Sequence, residues 1–343
     1  MPLELKPFEF SSAEARRVLR RYDLGEIATA APMRAGSPQS PKLLVTTDRN
    51  VYLLKRRAPN KSDPFKVAFS HEIQLFLAKH HFPVPHLIAT SEDNNTLLQT
   101  DDAVYELFEY LESTPYDRSA EATASAGRTL ALSHKLLSLC RPSFSPPTGG
   151  YHDHPQVPKL LRRAQAVVGA GDTAGCALFE EIFTLRDRVR RTANAAGLRT
   201  WPTQIVHADF HPGNALFRDQ HVVGVIDFDG ARIQQSIVDL ANSVTTFSTF
   251  IDSSVPPKDW PVEVELPRFA AFINAYDAAL RLSQAEVDIL PLLMVESVLT
   301  ECTMLLADAS AEQINRSIPW LEMALARGRW IDRNADVLRS QLG

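Results

Sequence analysis

The sequence predicts an α+β protein of two lobes, a small antiparallel sheet lobe over residues 1–110 and a larger, mainly helical lobe over 111–343. At roughly 150 residues per domain, 343 residues suffice for two folding units. Short β-rich runs in pairs crowd the first third of the chain, and long Ala- and Leu-rich helical patterns dominate the remainder. A break at Ser113–Asp117 separates the two regimes.

Taken in order, "SAEARRVLRRY" from Ser12 opens on capping residues and sets Ala15, Val18, Leu19 and Tyr22 on one helical stripe. "KLLVTT" (Lys42–Thr47) and "VYLLKR" (Val51–Arg56) flank Asp48, Arg49 and Asn50, the pattern of a hairpin. In "FSHEIQLFLAKHHFPVPHLI", Ile73, Phe76 and Leu77 recur at helical spacing until Pro83 and Pro85 stop the helix. "NNTLLQT" and "AVYELFEYLE" form a second strand pair, so the first lobe reads helix, β, β, helix, β, β. "SAEATASAGRTLALSHKLLSLC" and "CALFEEIFTLRDRVRRTANAAG" are long helices, with an irregular Pro-, Gly- and His-rich stretch from Arg141 to Pro158 between them. After Asp239 the chain is again mostly helical, and "LPLLMVESVLTECTMLLADA" is its most apolar helix.

Composition excludes several classes. A hydrophobic share of 45% with 22% charged residues is too apolar for a disordered chain. A net charge of -5 argues against a nucleic-acid binder that works by general electrostatics. Cys140, Cys176 and Cys302 stand far apart in no metal or redox spacing, which points to a reducing, cytoplasmic setting. "MPLELKPFEF" lacks the pattern of a signal peptide, and no stretch approaches the roughly 20 apolar residues of a membrane span.

"IVHADFHPGNALF" (Ile205–Phe217) gathers two His, an Asp and an Asn on a loop that leaves an apolar strand, a density of polar groups that calls for a partner. "ALF", "RDQH" and "VVGVI" then read as a hairpin that ends in "DFDG". With the turn centred between Gln220 and His221, symmetric pairing sets Asn214 opposite Asp227, an amide oxygen and a carboxylate suited to Mg²⁺. Asp209, five residues before Asn214, is placed to accept or orient a hydroxyl proton. Each residue alone also serves as a turn cap, an Asx-turn or a strand end. Together, His-x-Asp-x-x-x-x-Asn followed by Asp-Phe has the layout of the kinase catalytic and metal loops. His207 braces this loop and His211 sets its turn. Upstream, Lys55 shares a face with Val51 and Leu53, and Glu72 begins the next helix, the order of a phosphate-anchoring ion pair. Lys55 also reads as a solvated strand end, because Arg56 and Arg57 follow it.

These stretches, with "DLA" from Asp239, resemble the aminoglycoside phosphotransferase and choline kinase superfamily, which includes homoserine kinases of the second type. The resemblance covers most of the chain and is sharpest between Ile205 and Ala241. It implies a protein-kinase-like fold and ATP with Mg²⁺ as cofactors. By the same resemblance Asp209 is the catalytic base, Asn214 and Asp227 are metal ligands, and Lys55 pairs with Glu72. Asp239 takes a structural role and His134 a packing role. The phosphate loop departs from the pattern: "RAGSPQSPKLL" offers Gly36 as its sole glycine. The amides of Ser37 and its neighbours remain for a phosphate, while Pro38 and Pro41 remove donors. The adenine hinge falls near Phe108–Leu111.

The leading function is transfer of the γ-phosphoryl group of ATP to a small-molecule hydroxyl, on an amino alcohol, an amino acid such as homoserine, a sugar or an aminoglycoside. A protein Ser/Thr kinase of the bacterial stress-response type shares the loops, but Asp227 and Asp239 stand only twelve residues apart, with no recognisable activation segment between them. A nucleotide-binding pseudokinase scaffold is the third reading, supported by the Gly-poor loop and opposed by intact Asp209, Asn214 and Asp227. Glu296, Glu301 and Asp308 on the apolar helix are candidates to receive an ammonium group, or are simply exposed residues on a half-buried helix.

Overall fold

Ser11 starts the first helix: its hydroxyl accepts from the Glu14 amide at 3.1 Å, and the Glu14 carboxylate accepts from the Ser11 amide at 3.4 Å, a closed capping box. The structure is a computed structural model that describes residues 9–34, 36–169, 173–252 and 254–342. Most of "MPLELKPFEF" lies outside the described residues. The chain divides into two compact units. One holds the chain up to Thr114 with Cys140–Pro146 and Val223–Asp229, and the other holds Pro115–Leu139, Pro147–Val222 and Gly230 onward. Unlike the single cut expected after residue 110, the first unit is thus assembled from three stretches.

In the first unit, helix α1 (Ser12–Leu19) precedes strands β1 (Ile27–Met33), β2 (Lys42–Thr47) and β3 (Val51–Arg56). Helix α2 (Pro64–Lys79) and strands β4 (Leu97–Gln99) and β5 (Val104–Glu109) complete it. The antiparallel sheet has the order β1-β2-β3-β5-β4. Strand alternation sends Leu43, Val45, Tyr52, Leu54, Tyr105 and Leu107 to one face, where they form a core with Ala15, Val18 and Leu19 of α1. The other face carries Lys42, Lys55 and Glu106. No sequence pattern announces β1: it is Ala-rich, almost wholly exposed, contains Pro32 and has a register shift between Ile27 and Thr29. Helix α2 begins before Phe69, because Asp63 caps the amides of Phe65 and Lys66 and Pro64 fits the first turn.

The second unit begins with α3 (Ala120–Leu137), α4 (Val157–Val168) and α5 (Thr173–Ala195). Short strands follow along the chain: β6 (Gln204–Val206), β7 (Ala215–Arg218), β8 (His221–Val225), whose residues from Val223 belong to the first unit, and β9 (Arg232–Gln234), with β6 antiparallel to β9. Helices α6 (Ser236–Ser248), α7 (Leu266–Ala279), α8 (Gln284–Met304), α9 (Ala311–Arg333) and α10 (Ala335–Arg339) close the chain. α4 emerges from the end of the stretch read as irregular, and it buries Val157, Leu161 and Ala164 at helical spacing. α3 and α7 pack backbone to backbone at Gly127, where a Cβ would sit 2.2 Å from the Phe272 carbonyl oxygen. Among the described residues no helix is long and apolar enough to cross a membrane.

Candidate active site

In the first unit, the β3 register sets Lys55 beside Lys42 on β2 and Glu106 on β5. Lys55 Nζ stands 3.4 Å from Glu106 Oε2, with Lys55 18% exposed and Glu106 1%. Glu106 Oε1 accepts from Arg57 Nη1 at 2.7 Å and from His71 Nε2 at 2.8 Å, and His71 Nδ1 pairs with the Thr96 hydroxyl at 2.8 Å. Burial works against the Lys55 ammonium, but the carboxylates of Glu106, Asp229 and Asp227 outweigh it and hold Lys55 above its ordinary pKa. Burial likewise opposes the Glu106 carboxylate, yet Lys55, His71 and Arg57 hold it well below the usual carboxylate range. Lys42 is depressed by burial and by the charge of Lys55, partly offset by Asp227.

The expected partner, Glu72, is elsewhere. Its carboxylate accepts from the amide of Ser143 at 2.8 Å and from that of Phe144 at 3.3 Å, so it pins the stretch after α3. The pairing of Lys55 with Glu72 is therefore corrected to Lys55 with Glu106. The neighbouring residue, His71, is the one that α2 turns toward Glu106.

Gly36 takes a left-handed backbone, φ 70°, and an added Cβ would lie 3.2 Å from Lys42 Nζ. Ser37 is engaged in a local turn: its hydroxyl accepts from the Gln39 amide at 3.3 Å and its carbonyl from the Ser40 amide at 3.1 Å. Asp227 is exposed and also left-handed, φ 63°, an uncommon conformation for a residue with a Cβ. Two residues on, Asp229 pairs with Arg57 Nη2 at 2.6 Å and approaches Lys61 at 3.9 Å. Two surface hollows of about 640 and 780 Å³ in this unit, lined from α1 and the neighbouring strands, take in neither Lys55 nor Asp227.

In the second unit, the Asp209 loop leaves β6 through Ala208, which is left-handed at φ 61°. His207 Nδ1 accepts from the Asp209 amide at 3.3 Å, the bracing role expected of it. Asn214, 7% exposed, donates through Nδ2 to the Asp209 carbonyl at 2.9 Å and to Asp209 Oδ2 at 3.2 Å. The amide oxygen is thereby kept as Asn214's ligand-capable atom. Asp209 itself is 43% exposed, with His211 Nε2 at 3.8 Å. A Cβ on Gly230 would meet Asp209 Cβ and the His207 carbonyl at 3.2 Å, so glycine permits this close approach. The hairpin turn is Asp219–Gln220, with φ 47° and 64°, the signature of a two-residue turn. That centre lies one residue earlier than expected, so a symmetric count no longer sets Asn214 against Asp227. His134 does more than pack: its Nε2 donates to Asp239 Oδ2 at 3.0 Å, with both side chains fully buried, and Nδ1 meets the Tyr276 hydroxyl at 2.8 Å.

The carboxylates of α8 separate. Glu296 is buried against His152 Nδ1 at 2.6 Å and the Asp153 amide at 2.9 Å, a structural tie. Glu301 is exposed. Surrounding protein desolvates its carboxyl and, with the charge of Asp209 adding, pushes it up to about 7, while Arg327 and a hydrogen bond from Asn242 oppose the shift. Glu301 and Asp209 are thus within electrostatic reach of each other. Tyr151 belongs to the same neighbourhood, its phenol pushed up by burial and then by Glu301 and Asp209. Among the described residues no group of three or more His, Cys, Asp or Glu is arranged to hold a metal. Asp227 in the first unit carries a carboxylate and Asn214 in the second an amide oxygen, each a hard donor of the type that suits Mg²⁺.

Sequence reasoning missed Lys42, Arg57, Glu106 and Tyr151. A symmetric count across the β2–β3 hairpin would have found Lys42 opposite Lys55. Glu106 needed the pairing of β3 with β5, which no local pattern announces.

Residues 29–286 match the phosphotransferase enzyme family. A homoserine kinase of Bradyrhizobium diazoefficiens is 26% identical over 297 residues, covering 83% of this chain and 81% of that protein. Among solved structures, a microcompartment-associated aminopropanol kinase aligns with a TM-score of 0.69 at 17% identity, over 96% of this chain and 98% of that one. An amicoumacin kinase in complex with AMP-PNP and Ca²⁺ aligns with a TM-score of 0.67 at 12% identity, over 92% and 93%. These two structures share the fold.

Proposed function

This chain belongs to the phosphotransferase enzyme family, and from that premise we propose that it moves the γ-phosphoryl group of ATP, with Mg²⁺, to the hydroxyl of a small amine-bearing acceptor, an amino acid such as homoserine or an amino alcohol. The observation that carries the reading is the Asp209 loop, an accessible carboxylate fixed by Asn214 just after the left-handed Ala208. Asp209 takes the acceptor's hydroxyl proton as that oxygen bonds to the γ-phosphorus. The bond from the γ-phosphorus to the bridging oxygen breaks, and ADP leaves with its electron pair. Lys55, kept charged by Glu106, and Lys42 neutralise phosphate oxygens, while the amides near Gly36 and Ser37 offer what the Pro-interrupted loop retains. Asp227 and Asn214 are the residues that would hold magnesium, which would supply charge neutralisation for the phosphates.

Glu301 is assigned the acceptor's ammonium, because an accessible carboxylate in a desolvated setting gains most from a cationic partner. The named substrates of the homoserine and aminopropanol kinases that resemble this chain carry an amine and a hydroxyl, which agrees with that assignment. We assign residues 1–110 to nucleotide binding and 111–343 to catalysis and acceptor binding. The free cysteines among the described residues fit a reducing, cytoplasmic setting. An ATP-consumption screen across amino alcohols, amino acids, sugars and aminoglycosides tests the reading. Turnover confined to amine-bearing alcohols is expected. Turnover of neutral sugars alone refutes the acceptor class, and no ATP consumption with any of them, together with no nucleotide binding, refutes the kinase.

A further inference from the structure

Arg57 is the most heavily engaged cation of the first unit. Its side chain is 4% exposed, and its three nitrogens go to three different places: Nε to the Lys61 carbonyl at 2.6 Å, Nη1 to Glu106 at 2.7 Å and Nη2 to Asp229 at 2.6 Å. Its backbone amide is used as well, donating to the Val104 carbonyl at 2.9 Å. A planar, rigid fork can serve separated acceptors in this way, whereas an ammonium presents its donors from a single point. One end of the fork holds the carboxylate that keeps Lys55 charged. The other end holds the segment that carries Asp227, two residues before Asp229, in a left-handed backbone that its own preferences do not supply.

We propose that Arg57 is a positioning residue that locks the Asp227–Asp229 segment to the Lys55–Glu106 pair, so that the metal carboxylate and the phosphate-anchoring ammonium are oriented by one guanidinium. The inference rests on the reading of Asp227 as a metal ligand. It goes beyond that reading by assigning the orientation of Asp227 to a residue just past the end of β3. Glu106 and Asp229 share Arg57, so loss of either link has a stated consequence.

The test is calorimetric titration of AMP-PNP, with and without Mg²⁺, into wild type, Arg57→Lys, Asp229→Asn and the combined variant, alongside hydrogen exchange of the amides from Ile226 to Asp229. Each single variant should lose about 10- to 100-fold of the affinity that Mg²⁺ adds, the usual effect of removing a residue that orients a metal ligand. In Asp229→Asn, which leaves the Arg57–Glu106 pair intact, metal-free affinity should stay close to wild type, whereas Arg57→Lys should lower it as well by loosening Glu106 under Lys55; in both variants the Ile226–Asp229 amides should exchange faster. The combined variant should lose little more than either single one, because both break the same link. An unaltered Mg²⁺ gain in the single variants, or losses that multiply in the combined one, overturns the proposal. Should Arg57→Lys fail to fold, Asp229→Asn decides alone, since it leaves the buried Arg57–Glu106 pair intact. A wild type that binds AMP-PNP with no gain from Mg²⁺ overturns the metal assignment, and the lock with it. A wild type that shows the gain while both variants keep it sinks the lock alone.

Discussion

Replacing Glu106 by Gln should be far more damaging than replacing Glu72 by Gln. At 3.4 Å, with an effective dielectric constant of about 20, the Lys55–Glu106 attraction is about 5 kcal/mol before desolvation is charged against it. Glu106→Gln leaves Lys55 and the buried Arg57 as like charges on one face, and breaking a buried pair in this way costs about 3–5 kcal/mol. Glu72→Gln weakens hydrogen bonds to two loop amides, worth about 1–3 kcal/mol, and touches no cation in the network. The assay is a pair of double-mutant cycles in kcat/KM, Lys55→Met with Glu106→Gln and Lys55→Met with Glu72→Gln, plus thermal unfolding of each variant. Coupling of about 1 kcal/mol or more is expected in the first cycle and near zero in the second. The reverse outcome would refute the geometry and restore Glu72 as the partner. The pH arm has a definite sign. The folded pKa of Glu106 is depressed, so its contribution to stability is fully present above the ordinary carboxylate range and is lost as pH falls through the depressed folded value. Acid unfolding of Glu106→Gln should therefore be less steep in pH than that of wild type.

Asp209→Asn should lower kcat by about 10²- to 10⁴-fold, the usual worth of a general base, with ATP affinity nearly intact; wild-type turnover would remove Asp209 from that role. Because Glu301 is neutral below about 7 and charged above it, kcat/KM for an amine acceptor should rise as pH climbs through that value, and Glu301→Gln should flatten the rise. A pH profile with the same inflection in both proteins shows that another group titrates. Gly127→Ala should destabilise the second unit by about 1–3 kcal/mol or more, since the new methyl meets the Phe272 backbone rather than a movable side chain; an unchanged Tm would contradict the close α3–α7 contact.

What the sequence made legible is local in character. Lys42–Thr47 and Val51–Arg56 emerge at their expected bounds, because alternation and a polar turn are encoded within a few neighbouring residues. The α+β class is likewise visible in runs of one pattern followed by runs of another. The partner of Lys55 is different, because Glu106 lies on a strand reached only after α2 and β4, and its nearness is a property of the sheet order. Glu72 has the expected chain position, yet the helix directs His71 to the carboxylate and leaves Glu72 for the amides of Ser143 and Phe144. Pro punctuation misleads at the start of α4, where Pro158, read as the end of an irregular stretch, sits in the first turn, a place that proline tolerates. β1 is illegible because exposed residues on both faces give no alternation to read. Glu301 and Glu296 look alike on one helix, and only the surroundings supplied by other elements tell them apart.

The outermost strand, β1, has a consequence for how the protein behaves in company. An uncovered strand is a template on which a foreign chain can crystallise into a sixth row, and aggregation often starts there. Pro32 has no amide hydrogen to extend to a newcomer, and the register slip between Ile27 and Thr29 twists the row out of line. The small side chains from Ala28 to Ala31 in "IATAAPM" also give an intruder little apolar surface to grip. The features that hide this strand from sequence reading thus make it a poor seed, and Pro32→Val is the change that would turn a quiet border into a sticky one.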